Sequence, residues 1–321
     1  VTDQVPEAVV AVDVGGSKIA SAVVTRGGVV FNYRVQGIDK RGGLHSMSQL
    51  INIIRLHIEE LGERDLIGVG VSIPGIVKED GSVWAPNIRG WRWVNLASFI
   101  RGRLGIGNVT LVDDRVANIV GEHWMGEAKG ARNAVSLILG TGVAAGLLVD
   151  GKPVSGASGV SGAVGWWLLG RNTPRRRSAR GFLESEVSGP ALFKRARRYC
   201  MRIRDEGCLR ALSQCSPGDA ECVFKAFDNG VSAIGVVLRR EASIIGVVVA
   251  NIISILNPEV VVLGGGLGVE VGRRFMDVVI TTASRVAQPY SLRECRITVS
   301  KLGYLSNIYG AAKLVIDTHG S

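Results

Sequence analysis

The chain has 321 residues, 46% of them hydrophobic, and a net charge of +10 with a pI near 9.7. That is enough apolar material for two domains of ordinary size, each with its own core. The longest apolar stretch, Ile244 to Leu256, is interrupted by Gly246, Asn251 and Ser254 and is too short to span a bilayer, and no charged leader opens the chain, so a cytoplasmic protein without a membrane partner is expected.

The basic residues are scattered, apart from a loop-like run at 171–180 and a helix-like run from Lys194 to Arg198. Both read as solvated charge, which disfavours nucleic acid as a partner. Five cysteines at 200, 208, 215, 222 and 295 form no C-x-x-C pair. They are expected to be free cytosolic thiols, since intracellular disulfides belong to hyperthermophiles, a direction in which the heavy use of Arg over Lys also points.

In chain order, Ala8 to Val30 reads as a hairpin: an apolar β-branched run, a Gly-rich turn, a second apolar run and a tight turn. The pattern recurs about 127 residues later, from Ala134 to Val154. Glycines at such tips let backbone N–H groups approach an anion closely. Two hairpins of this kind imply two related half-folds facing one ligand, the layout of a nucleotide cleft.

Between them the apolar spacing predicts a helix from Gly43 to Leu61, a strand from Ile67 to Val71, a strand-like piece around Gly81 to Trp84 and a short helix from Ala97 to Leu104. A strand from Val109 to Val112 delivers Asp113 and Asp114 just before a helix from Arg115 to Trp124, where α/β sheets place ligands. After the second hairpin, Gly156 to Gly181 is irregular. Helices are expected at Ala191 to Arg204, Ala220 to Asn229 and Val231 to Leu256, the last open to breakage at its glycines. A strand from Val260 to Leu263 ends in three glycines, a helix starts near Val271, a strand covers Arg296 to Val299, and a helix from Asn307 to Ile316 closes the fold.

Two other readings of the glycine-rich turns fail. LGTGVAAG leads into a strand and turn, whereas a dinucleotide fingerprint must open a helix and place an acid about 20 residues on. No Walker A sequence occurs anywhere in the chain.

The ordered set DVGGSK (Asp13 to Lys18), SIPGIV (Ser72 to Val77), APNIRGW (Ala85 to Trp91), VDDRVANIVGE (Val112 to Glu122), LGTGVAAGLLVDG (Leu139 to Gly151), GASGVSGAVG (Gly156 to Gly165) and NPEVVVLGGGL (Asn257 to Leu267) resembles the ROK family. Each motif is weak alone; their order over about 300 residues is specific. The resemblance implies a duplicated actin-like, ribonuclease-H-like α/β fold with an interdomain cleft. It also implies ATP with Mg²⁺ and a sugar hydroxyl as acceptor. The smaller domain would be 1–114 plus 305–321 and the larger one 115–304. Family members are often dimers, so a homodimer is an expectation by analogy.

Asp13 ends a buried run, where an unpaired charge would be costly. The resemblance makes it the acid that orients Mg²⁺ through water; the alternative is a cap on the Gly15-Gly16 turn. Gly15, Gly16, Ser17 and Lys18 would approach the β- and γ-phosphates, with Gly140, Thr141 and Gly142 as the opposing jaw. The plain alternative for both is a hairpin turn. Gly264, Gly265 and Gly266 match the family's adenosine loop, or else simply start a helix. Asp114 matches the second residue of the family's Asn-Asp pair, the general base that takes the acceptor proton. Asp113 would serve a sugar hydroxyl or cap the next helix. Asn87 matches a residue that bonds the sugar, or is a turn residue, and Gly75 lies where backbone approaches the sugar.

The sequence also departs from the family. The zinc-binding cysteines are replaced at Arg175, Arg177 and Phe182 and the zinc-binding histidine at Trp166, so no structural zinc is expected; packing of Trp166, Trp167 and Phe182 should hold the loop instead. Glu184 matches a sugar-binding Glu, but a second such Glu has become Ala163. A broad hexokinase or glucokinase is the leading expectation, followed by a kinase of another polyol or amino sugar, then a sugar sensor. Family repressors carry an N-terminal helix-turn-helix, which is not expected here because the first hairpin begins at about the eighth residue, and Asp114 favours an enzyme.

Overall fold

A computed structural model describes residues 7–61, 65–170 and 181–319. The first hairpin is β1 (Ala8–Val14) and β2 (Lys18–Thr25), extended by β3 (Val30–Gly37). Then come α1 (Gly43–Leu61), β4 (Leu66–Ile73), β5 (Ile76–Val77), β6 (Ser82–Trp84), β7 (Arg92–Asn95), α2 (Leu96–Leu104), β8 (Val109–Asp113) and α3 (Asp114–Met125). The second hairpin is β9 (Ala134–Leu139) and β10 (Val143–Val149), followed by β11 (Lys152–Pro153). A helical stretch follows: α4 (Glu184–Val187), α5 (Gly189–Ile203), α6 (Glu206–Ser213), α7 (Ala220–Asp228) and α8 (Ser232–Leu256). β12 (Val260–Gly264), α9 (Gly265–Val286), α10 (Pro289–Glu294), β13 (Arg296–Val299) and α11 (Ser306–His319) complete the order.

The duplication expected from the two hairpins is present in the topology. One sheet runs β3-β2-β1-β4-β8 and the other β11-β10-β9-β12-β13. In both, an antiparallel hairpin supplies the central strand, which pairs in parallel with the next strand and that with the last. A small sheet, β5-β6-β7, branches from the first half.

Strand alternation sends the two faces of the first sheet to different cores. Val10, Val12 and Val14 pack with Leu50 and Ile54 of α1 and Ile100 of α2, whereas Val9 and Ala11 pack with Val116, Ala117 and Val120 of α3 and with Ile308, Ala311 and Val315 of α11. The second sheet buries Val135, Leu137 and Leu139 against α8 and α9, and Ala134, Val260 and Val262 against Ile119 of α3. Helix α3 therefore touches both sheets. It meets α11 at backbone distance, because a side chain at Gly121 would collide with the Ser306 carbonyl and one at Gly310 with the Ala117 carbonyl.

Several expectations need correction. Helix α8 is unbroken, since Gly246 lets Thr282 and the Val279 carbonyl of α9 approach and does not end the helix. Helix α9 starts at Gly265, six residues before the expected Val271. Strand β3 was not anticipated, because its side chains are almost all exposed and carry no buried alternation. The thiols at 200, 208, 215 and 222 are not free: Cys200 bonds Cys208 and Cys215 bonds Cys222, with Cα atoms 5.8 and 5.7 Å apart. The reason is geometric, since α5, α6 and α7 double back and bring each pair within bonding range. Cys295 is free, and burial pushes its thiol up to about 11. The basic run Lys194 to Arg198 is a helix face as read, except that Arg195 turns inward to Glu241 and Glu186. The 171–180 run lies outside the described residues, as do the zinc-motif positions Arg175 and Arg177.

Candidate active site

The tip between β1 and β2 is closed by the Gly15 amide donating to the Lys18 carbonyl at 2.8 Å. Gly16, Ser17 and Lys18 are exposed there, and a Cβ at Gly16 would lie 3.6 Å from Asn87. Asn87 is itself exposed in a turn closed by the Ala85 amide on the Trp91 carbonyl at 2.7 Å. The fold thus brings the first hairpin and the APN turn together. At the second tip, Gly140 donates to the Gly142 carbonyl at 2.9 Å and accepts from the Gly189 amide at the start of α5 at 2.8 Å. Thr141 and Gly142 are exposed.

Asp13 does not cap the Gly15-Gly16 turn. Its Oδ1 accepts from Ser72 Oγ at 2.8 Å and from Asn307 Nδ2 at 2.9 Å. Burial raises its carboxyl above the ordinary value, while those two hydrogen bonds and Lys18 pull it down. Asn307 also accepts from Asn118 Nδ2 at 2.8 Å, and Asn118 accepts from Ser136 Oγ at 2.5 Å. This chain of polar groups joins β4, β1, α11, α3 and β9 across the two halves. A Cβ at Gly264 would lie 3.5 Å from Ser136 Oγ, so the third glycine loop sits at its end.

Gly264 ends β12, and Gly265 opens α9 with φ of +72°, a left-handed conformation that suits glycine. A side chain at Gly265 would also strike the Leu139 carbonyl, next to the second tip. Gly266 lies beside the Tyr304 hydroxyl, 3.6 Å from where its Cβ would be. The Tyr304 ring in turn carries Lys18 Nζ 4.7 Å from its centroid. Lys18 and Gly266 therefore share one aromatic neighbour.

Asp113 and Asp114 sit where β8 becomes α3. Of the two readings open for Asp113, the structure realises the cap: Oδ1 accepts from the Arg115 and Val116 amides, each at 3.2 Å, and from Arg115 Nε at 3.0 Å. Asp114 is the first residue of the helix and is partly buried. Desolvation pushes its carboxyl up to about 7; Arg115 pulls it down, while Asp113 and Asp13 push it up. An acid poised near neutrality beside other carboxylates is suited to taking up a proton at physiological pH.

Gly75 lies against the Trp84 backbone, and its carbonyl accepts from Arg115 Nη2 at 3.2 Å. Glu184 opens α4, and its Oε2 accepts from the Val143 amide at 3.3 Å, which ties it to the second hairpin. Of the three residues expected to hold the loop, whose positions 171–180 lie outside the described residues, Trp167 packs against the core of the second half. Trp166 is exposed, Phe182 and Trp167 are half-buried, and it is Leu183 that is buried. Beside them Gly181 meets the Gly165 carbonyl so closely that a side chain there would collide.

Four contributors were absent from the sequence reading: Tyr304, Asn307, Asn118 and Arg115. For the last three a signal existed, namely a polar or charged residue on an otherwise apolar helix face. Tyr304 sits in a 3₁₀ turn, Gly303–Leu305, and carries no such pattern.

The ROK family profile matches residues 9–318. The chain is 27% identical to a glucokinase of Halalkalibacterium halodurans over 97% of this chain and 96% of that one, and 25% identical to a glucokinase of Thermotoga maritima over 97% and 98%. It is 28% identical to an N-acetyl-D-glucosamine kinase of Erwinia tasmaniensis over 79% of this chain and 82% of that one. The solved structure of a ROK family glucokinase from Streptomyces griseus in complex with glucose and AMPPNP aligns with a TM-score of 0.79 at 24% identity, covering 96% and 98% of the two chains. From within its first strand to within its last helix, the chain belongs to the ROK family.

Proposed function

We propose that this protein transfers the γ-phosphoryl group of ATP to a hydroxyl of a hexose, as a hexokinase or glucokinase of broad tolerance. The observation that carries this reading is Asp114, a carboxyl lifted to about 7 at the head of α3. Phosphoryl transfer is mostly positioning and charge stabilisation, and the acceptor hydroxyl must lose a proton as the bond forms. Asp114 takes that proton. Asn87 and the Gly75 backbone hold the sugar, with Asp113 fixing the helix start and Glu184 the opposing hairpin. Gly15 to Lys18 and Gly140 to Gly142 cradle the phosphates, and Gly264 to Gly266 leave room for the nucleoside.

The residues present fit Mg²⁺. Asp13 is a hard oxygen donor steadied by two hydrogen bonds. Mg²⁺ suits such a site, because it keeps several waters and takes one or two carboxylates plus phosphate oxygens. Asp13 would hold it through water, and when bound it would neutralise charge on the phosphates. Of the domain limits 1–114 plus 305–321 and 115–304, the return of 305–321 to the first domain is supported by the packing of α11 on the first sheet, in a core that also takes in α3 from the far side of the 114/115 limit.

The test is a coupled ADP-release assay over hexoses, hexosamines, N-acetylhexosamines and polyols. Ala163 stands where the family pattern has a sugar-binding Glu, so the pocket should read the C1 and C2 end of the sugar loosely. Glucose, mannose, glucosamine and 2-deoxyglucose should then have kcat/KM values within about one or two decades of each other, the range that apolar discrimination allows. A thousandfold preference for one would transfer that role to another residue, and no turnover of any substrate would overturn the kinase reading in favour of a sensor.

A further inference from the structure

Arg115 is buried in the first turn of α3, and its guanidinium reaches three places. Nε donates to Asp113 Oδ1 at 3.0 Å, and Nη2 donates to the Gly75 carbonyl at 3.2 Å and to the Gly159 carbonyl at 2.8 Å. Gly75 lies between β4 of the first sheet and β5 of the small sheet, whereas Gly159 lies in the loop that follows β11 of the second sheet. One side chain therefore joins loops from both halves of the molecule. The two loops also touch, since a Cβ at Gly159 would sit 3.4 Å from Ile76 Cγ2 of β5.

The chemistry of the group makes this junction specific. A guanidinium presents its donors in a fixed plane, so it bonds two carbonyls and a carboxylate at once only where the backbone brings all three to its rim. Hydrogen bonds that involve a charged partner are stronger than neutral ones, and in a buried place water cannot replace them cheaply. The same Asp113 oxygen caps α3, whose first residue is Asp114. The position of the base and the spacing of the two loops are thus set by one connected unit.

We propose that Arg115 is a positioning residue that holds the sugar end of the cleft at a fixed width before substrate arrives, by clasping the Gly75 loop to the Gly159 loop. The proposal rests on the kinase reading in placing the sugar beside Gly75 and Asp114. A pre-set mouth spares the substrate the ordering of these loops on binding, which belongs to affinity for the sugar and not to the phosphoryl step.

The test compares the full-length protein with Arg115→Met, which fills the volume without donors, and Arg115→Lys, which keeps the charge and can reach one carbonyl. Arg115→Met should raise the KM for the best sugar at least about tenfold with the KM for ATP unchanged; because Arg115 also holds the Asp114 carboxyl down, kcat is compared on the alkaline plateau of the pH profile, where it should stay within about threefold of wild type. Arg115→Lys should recover part of the loss, and it serves alone if the Met variant fails to fold. Hydrogen exchange of the ligand-free protein is the readout independent of activity: amides of 155–162 should exchange faster in both variants and slow again when sugar is added. If the wild type phosphorylates nothing, the kinase reading falls while the ligand-free exchange still judges the clasp. Unchanged exchange at 155–162, or a sugar KM within twofold of wild type, overturns the clasp. So does a parallel loss of kcat and thermal stability with KM constant, which would reduce Arg115 to a prop for the helix cap.

Discussion

At Asp114 a change of one atom separates shape from chemistry. Asp114→Asn keeps the side chain's size and removes the oxygen that can hold a proton, so kcat should fall roughly 10²-fold or more while ATP affinity stays near wild type. Near-normal turnover in a steady-state assay would take Asp114 out of the mechanism. The acid's environment makes a second expectation. Desolvation, opposed by Arg115 and reinforced by Asp113 and Asp13, lifts it to about 7, and a base works only when deprotonated. Activity is therefore lost as pH falls through that value: kcat/KM for the sugar should drop about tenfold per unit below pH 7 and level off above it. A profile flat from about pH 5.5 to 8.5 would contradict a lifted carboxyl in this role.

Among the elements, α5, α6 and α7 form a unit stapled by two disulfides that close short loops. In a chain-entropy model such loops contribute about 2–3 kcal/mol each. Titrated in denaturant, the protein should show one thiol, that of Cys295, before reduction and five after, and reduction should lower its denaturation midpoint. Five thiols at the start would show the pairs to be open in solution. These helices also show what sequence could and could not convey. Helix α1 was legible to its ends, as was β13, because their apolar residues repeat with the period of the element. Glycine misled in both directions: Gly246 was read as a breaker where it allows two helices to approach, and the start of α9 was read late because its opening residues are glycines. Asp13 and Asp114 could be named from their places at strand ends. Their partners could not, since Asn307 lies 294 residues from Asp13 and no local pattern signals that bond.

For the whole molecule, the decisive packing is α3 against α11 between the two sheets. The two helices meet at backbone distance at Gly121 and Gly310, beside the Asn118–Asn307 bond. Gly310→Val should force them apart and cost about 1–3 kcal/mol or more by equilibrium denaturation, with catalytic loss alongside because Asn307 rides on the same helix. A variant with unchanged stability would mean that the crossing can relax. The location of α11 has one more consequence, in the order of synthesis. Val9, Ala11, Ala22 and Val24 of the first sheet are covered by α3, which follows β8 directly, and by α11, whose first residue emerges about 190 residues after β8 ends. At bacterial or eukaryotic elongation rates that is a wait of roughly 10–40 s, during which the part of this apolar face that α11 covers is left open. The second half, whose sheet and covering helices are contiguous in the chain, can consolidate first. The part of the first sheet under α11 is thus sealed only after the second half has been made.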